Sequence, residues 1–261
     1  MTDAPIHLDR HDHHAELVLN RPQRRNALNA AMWTALPDLL DEAAGDDTIK
    51  ALVVRGAGGS FTAGADISEF DTVYATAEAA QTYTNAIARG LDALAHFPKP
   101  TLAVIRGACI GGGCGLALSC DLRFTASDGR FGITPAKLGL AYTLNDTKRL
   151  IDAVGVSTAK DLLYSARLID ATEALAMGLV NRCFEPDELD AEVGAYLEMM
   201  LSRSTGSARA IKRVIHLIRQ GVDGDTDETR QLFLDAFQSD DFREGYNAFL
   251  GKRTPDFTGQ G

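Results

Sequence analysis

One short motif, present twice, constrains this chain of 261 residues more than anything else in it. Leu52-Val53-Val54-Arg55-Gly56-Ala57 returns as Ala103-Val104-Ile105-Arg106-Gly107-Ala108. Each copy is an apolar strand run that breaks at Arg-Gly and enters a glycine-rich stretch. The first leads to Phe61-Thr62-Ala63-Gly64-Ala65-Asp66, the second to Gly111-Gly112-Gly113-Cys114-Gly115. Glycine lets backbone N–H groups approach a ligand closely, and a helix N-terminus aims further N–H groups outward. Two such turns side by side can bracket one carbonyl oxygen and hold it as an oxyanion. The expected chemistry therefore centres on a carbonyl whose oxygen gains charge.

The length is near the upper limit for one hydrophobic core, which favours a main domain plus a helical extension. A net charge of −10 argues against a nucleic-acid surface, while a local basic pocket for an anionic ligand stays compatible with it. The start of the chain has no continuous apolar core of the secretory type, and no run approaches membrane-spanning length. The expected location is the cytoplasm, with no membrane partner. Cys109, Cys114, Cys120 and Cys183 lack the paired spacing or nearby histidines of a metal site, so they are read as buried free thiols. His11, His13 and His14 are read as part of a solvated loop, and no metal is expected.

Glu16–Asn20 reads as a strand closed by Arg21-Pro22, and Asn29 as the cap of a helix through Leu36, Leu39 and Leu40. Ala51–Arg55 is the first repeat strand, and Ala77–His96 is helical, with Ile87, Leu91 and Leu94 on one face. Phe97-Pro98-Lys99-Pro100 breaks that helix before the second repeat strand. Leu116-Ala117-Leu118 suggests a short buried helix, and Asp121–Ala126 a strand. From about residue 145 the pattern turns helical: a pair around Leu150 and Leu162, then Ala210–Ile218. The stretch Asp71–Ala77 carries little pattern. The expected fold is mixed α/β with a helical C-terminal subdomain, divided as 1–200 and 201–261.

These segments resemble the crotonase superfamily, the enoyl-CoA hydratase/isomerase family. The resemblance runs from Leu19-Asn20-Arg21-Pro22 and Asn26-Ala27-Leu28 to Glu244-Gly245-Tyr246, Phe249-Leu250 and Lys252-Arg253. Its strongest pieces are Phe61-x-Ala63-Gly64-Ala65-Asp66 and Gly111-Gly112-Gly113 with Cys120-Asp121-Leu122-Arg123. It implies a spiral of ββα repeats whose C-terminal helices build trimers, often paired into hexamers. It also implies acyl-CoA thioester substrates, with coenzyme A as part of the substrate and no separate cofactor. By position, Ala65 and Gly112 would supply the two oxyanion N–H groups. Ala63, Gly64, Asp66, Ile67 and Gly111 would contact the substrate. Arg24 or Arg25 would meet the CoA phosphates, and Lys252 matches a tail lysine that reaches CoA.

The pattern also departs from the family. Hydratases carry one glutamate where this chain has Gly115, and a second where it has Pro135 or, shifted by one, Ala136. Neither can transfer a proton, so efficient hydration of the usual kind is not expected. Thr134 and Tyr142 are spaced like a threonine and tyrosine of the methylmalonyl-CoA decarboxylase branch. Asn145-Asp146-Thr147 is similar to a stretch of 4-chlorobenzoyl-CoA dehalogenase, whose aspartate is the nucleophile. That enzyme's histidine base would fall near Asp92 and its pocket tryptophan at Leu138, so the likeness is incomplete. Asp146 is either a proton-transfer group or a first-turn helix residue favoured by the dipole. The favoured reaction is decarboxylation of a malonyl-type CoA through an enolate. Hydration or isomerisation with Asp146, or acyl-CoA binding without catalysis, are the alternatives.

Overall fold

The computed structural model describes residues 3–257. Two strands open the chain, β1 (Ile6–Arg10) and β2 (His14–Leu19), paired antiparallel as a hairpin. Three parallel neighbours extend that sheet: β3 (Ala51–Gly56), β4 (Thr101–Ile105) and, after the short β5 (Ala108–Ile110), β6 (Leu122–Ala126). Strands β7 (Arg130–Gly132) and β8 (Leu168–Asp170) join β5 in a second sheet, while β9 (Arg182–Phe184) closes the first at its far edge. The order is β1-β2-β3-β4-β6-β9. Ala51, Leu52, Val53 and Val54 are all buried, the unbroken apolar run that a parallel strand covered on both faces requires.

The two copies of the repeat lie side by side. Val54 pairs with Ala103 and Arg55 with Val104, so equivalent residues are offset by two along the strands and keep the same face. Beyond the strands the glycine turns are stitched together. Phe61 N–H donates to Arg106 O (2.7 Å), Thr62 N–H to Ala108 O (2.8 Å) and Ile110 N–H to Thr62 O (3.1 Å).

Helix α1 (Ala30–Gly45) starts where expected: Asn29 Oδ1 accepts from Met32 N–H (3.0 Å), and Met32, Trp33, Leu36 and Leu40 form its buried stripe. The weakly patterned stretch folds as α2 (Phe70–Val73), and Thr76 then caps α3 (Ala77–Ala95). A Cβ on Gly90 of α3 would lie 3.0 Å from Leu36 Cδ2, so glycine lets these two helices approach closely. Helix α4 (Gly112–Ser119) is buried almost throughout. The helical pair read around Leu150 and Leu162 is one segment, α5 (Leu144–Ser165), broken at Gly155 (φ 78°, ψ 165°). The region read as wholly helical also holds β8, α6 (Ala171–Ala176) and β9. These strands have three residues each, too short to show a period.

Helices α7 (Leu189–Leu201), α8 (Thr205–Arg219), α9 (Asp227–Gln238) and α10 (Asp240–Leu250) complete the chain. The chain forms two compact units. One runs to Phe97 and resumes over Thr101–Val193; the other joins Pro98–Pro100 to the chain from Gly194 onward. Within the second unit Lys212 Nζ donates to Lys99 O (2.9 Å), and the helices leave Ile211, Phe233, Phe237 and Phe249 exposed. No helix among the described residues is long and apolar enough to cross a membrane. Cys109, Cys114 and Cys120 are buried free thiols as expected, and Cys183 is half-buried.

Candidate active site

The N-terminus of α4 and the turn after β3 meet around Gly64, Ala65, Gly111 and Gly112. Leu28 N–H donates to Gly64 O (2.7 Å) and Asp66 N–H to Leu28 O (2.9 Å), which pins the residues on either side of Ala65. Gly64 has φ +92°, and a Cβ there would sit 2.6 Å from Ile110 O, so only glycine fits. A Cβ on Gly112 would lie 4.0 Å from Ala65 N and one on Gly64 3.6 Å from Gly112 N, which places the two amides together. Among the described residues neither amide has an acceptor within the chain. Two neighbouring free N–H groups, one at the start of a helix, form a site for a developing negative charge on oxygen.

Other residues named from the sequence have structural partners. Asp66 forms an ion pair with Arg21 (2.8 Å) and accepts from Ser68 Oγ (2.6 Å) and Ser68 N–H (3.2 Å). The Ser68 hydroxyl, then Arg21, holds its carboxyl below the usual carboxylate range against the opposing effect of burial. Asp66 thus buttresses the turn. Ala63 N–H donates to Arg25 O (2.9 Å), which ties the first glycine turn to the segment carrying Arg24 and Arg25. Both arginines are exposed, and Arg25 adopts φ +49°. Ile67 is 69% exposed, an apolar side chain left in solvent just after the first glycine turn. Lys252 belongs to the second unit, where it is exposed with φ +50°.

Thr134 and Tyr142 both reach Gly111. Tyr142 Oη donates to Gly111 O (2.6 Å), and a Cβ on Gly111 would lie 3.8 Å from Thr134 Oγ1. Burial, with Cys114 and Asp146 nearby, pushes the Tyr142 phenol well above its ordinary value, so it stays protonated and donates. One turn further along α4, a Cβ on Gly115 would lie 3.8 Å from Tyr142 Oη and 3.8 Å from Asp146 Oδ1. Asp146 is in the first turn of α5, as the dipole reading anticipated. Thr143, the cap, accepts from Asp146 N–H and donates from Oγ1 to Asp146 Oδ2 (2.8 Å). Arg149 Nη1 donates to Asp146 Oδ1 (3.0 Å), and its Nη2 pairs with Asp92, which also accepts from Asn145. Asp146 and Asp92 are therefore joined through a buried arginine.

Sequence reasoning missed this arginine, and it missed Trp33 and Tyr83. Gly112 is walled by the Trp33 ring, 3.3 Å from a Cβ placed there. The Trp33 indole N–H lies beside the Tyr83 hydroxyl. Burial, reinforced by Tyr74 and Glu69, pushes the Tyr83 phenol up to about 12. Tyr83 also lines a cavity of about 460 Å³ between α1, α2 and α3, with Thr34, Thr72, Val73 and Thr82. Trp33 and Leu36 share the buried face of α1, so the spacing of the helix marks Trp33 as core without marking its neighbour Gly112.

Residues 11–260 match the family Enoyl-CoA hydratase/isomerase. The chain is 36% identical over 246 residues to the 2,3-dehydroadipyl-CoA hydratase of Escherichia coli, covering 94% of each. It is 34% identical over 257 residues to the crotonyl-CoA hydratase of Syntrophomonas wolfei, covering 97% of each. Among solved structures, an enoyl-CoA hydratase/isomerase family protein from Hyphomonas neptunium superposes with a TM-score of 0.95. That protein is 44% identical, with 98% of each chain covered. Together with paired glycine turns that leave two amides free, these matches show that the chain belongs to the enoyl-CoA hydratase/isomerase family.

Proposed function

We propose that this protein is an acyl-CoA enzyme that holds the thioester oxygen between the Ala65 and Gly112 amides and stabilises an enolate. The observation that carries this reading is the pair of adjacent N–H groups without acceptors, in a chain whose family acts on such thioesters. Arg24 and Arg25 remain the candidates for the CoA phosphates, since both are exposed beside the turn that Arg25 O anchors. The acyl chain would pass Trp33 into the threonine-lined cavity, where Glu69 and Asp66 near Tyr83 disfavour a carboxylate at its far end. The exposed apolar faces of α8, α9 and α10 are compatible with the trimer or dimer of trimers that the family resemblance implies.

Within that reading the favoured reaction is decarboxylation of a malonyl-type thioester. Loss of CO₂ leaves its electron pair on the α-carbon, delocalised onto the thioester oxygen, so no base is needed to make the enolate. Thr134 and Tyr142, both against Gly111, are suited to orient the departing carboxylate. Asp146, already accepting from Arg149 and Thr143, is poorly placed to add water.

Hydration is the second reading, and two observations favour it. The relatives named above are called hydratases, and Asp146 Oδ1 lies beside the Gly115 position where the family resemblance sets a hydratase glutamate. Mass spectrometry after separate incubation with methylmalonyl-CoA, malonyl-CoA and crotonyl-CoA decides between them. Loss of CO₂, abolished by Tyr142→Phe or Thr134→Val, supports decarboxylation. Gain of water on crotonyl-CoA, abolished by Asp146→Ala, replaces it with hydration. Binding of all three without product supports a non-catalytic acyl-CoA protein.

A further inference from the structure

The β1–β2 turn brings together side chains that the active site does not use. His11 N–H donates to His14 O (2.9 Å), which closes the turn and sets the two imidazoles against each other. Their rings stack with centroids 4.5 Å apart and planes 10° from parallel. Glu16, two residues further along β2, projects from the same face as His14. Its Oε1 is held by Arg55 Nη1 (3.1 Å), and Arg55 is in turn held by Asp190 (2.8 Å), so the carboxylate has a fixed orientation. The other oxygen, Oε2, faces His11 Nε2 at 4.0 Å. One ligand atom from each of His11, His14 and Glu16 lies within 4.8 Å of the other two.

We infer that His11, His14 and Glu16 form a binding site for one divalent transition-metal ion of the zinc class. Two imidazole nitrogens and one carboxylate oxygen are the donor set that borderline dications take, with water completing the coordination. Around a tetrahedral ion with bonds of about 2.0–2.2 Å, donor atoms stand roughly 3.3 Å apart. The three groups must therefore close in by up to roughly 1.5 Å, and χ rotations of both histidines must unstack the rings so that their in-plane lone pairs converge. Arg55 does for Glu16 what outer partners do for metal ligands in general: it fixes which oxygen points inward.

The position of the site in the sheet gives it a definite character. His14 pairs with Ala51 at the start of β3, whereas Leu19 pairs with Gly56 at its end, where the chain leaves for the oxyanion turn. The histidines thus occupy the opposite end of these strands from the acyl site. Bound metal would clasp the hairpin and raise stability by mass action, without competing with a thioester.

Calorimetric titration of the untagged full chain with zinc chloride tests this directly. The expected result is one ion per chain, a higher melting temperature, and binding weakened about tenfold or more in both His11→Ala and Glu16→Gln. His11 is exposed, so its variant keeps the fold where a change at His14 risks it. Cobalt substitution adds a spectroscopic readout. A nitrogen- and oxygen-ligand spectrum supports the site, and a thiolate charge-transfer band places the ion on cysteine and overturns it. No binding by the wild type, or binding by either variant as tight as the wild type's, also overturns it.

Discussion

The two flanks of α4 are built from the same residue type and do opposite things. At Gly112 the missing side chain lets the Trp33 ring and Ala65 N come close, and the amide has no acceptor among the described residues. At Gly115, one turn on, the missing side chain opens onto Tyr142 and Asp146, whose polar atoms have protein partners in Gly111, Thr143 and Arg149. Unmet donors are where binding energy can be released; a satisfied network resists change and organises its surroundings. On the proposed reading the oxyanion lies at the first flank, and Asp146 on the second is chiefly a scaffold. The same reading prefers decarboxylation, which needs no base, to hydration, which does.

Four changes can break or sharpen that contrast. The largest effect belongs to Gly64→Ala. A methyl group 2.6 Å from Ile110 O, at φ +92°, must displace the Ala65 amide. Loss of one such donor corresponds to a fall of about 10²–10³-fold in turnover, read with whichever acyl-CoA proves productive and with circular dichroism as a check on the fold. Next is Asp146→Asn, which weakens the pair with Arg149 while keeping the shape. Chemical denaturation should show a loss of about 1–3 kcal/mol, with decarboxylation little changed. A collapse in turnover at unaltered stability would make Asp146 a proton-transfer group and reverse the comparison.

Asp66→Asn tests whether the first flank has a scaffold of its own. Because the folded state lowers the Asp66 pKa, the carboxylate stabilises the fold fully above the unfolded value of about 3.9. That stabilisation is lost as pH falls through the folded value. The wild type should therefore exceed the variant by about 1 kcal/mol near neutral pH, and the gap should narrow in melts below about pH 4. A gap independent of pH would mean that Asp66 acts through shape alone. The smallest expected effect is that of Tyr83→Phe, which removes the hydroxyl beside Trp33 and leaves the ring. A change of a few-fold in KM for longer acyl chains, with kcat for the shortest unchanged, would assign Tyr83 to the acyl cavity. A uniform fall in kcat would move it to the reacting centre.

Much of the architecture was legible because its signals are local. Asn29 before an apolar stripe, the Ile87, Leu91 and Leu94 face of the helix read over Ala77–His96 and the apolar run Ala51–Val54 each specify an element from a few neighbouring residues. The paired glycine turns were legible for the same reason, and so was the placing of Asp146 in a first helical turn. The strands β1, β8 and β9 were not, since segments of three to five residues that pair at sheet edges carry too little periodicity. Arg149 looks in sequence like any charged residue of a helix, yet it is 8% exposed and joins Asp146 to Asp92. His11 and His14 read as a solvated loop, because nothing in their order says that a turn will stack their rings.

The sequence alone determined that two strand-turn units would end in glycine, and that the chain would expose backbone amides there. Glycine's freedom at positive φ and the apolar strand pattern are properties of a few adjacent residues. Only the tertiary structure decided which amides stay unpaired among the described residues, which carboxylate is held by an arginine, and that Trp33 walls Gly112. Those outcomes depend on groups far apart in the chain meeting at hydrogen-bond distance, and no local pattern records that.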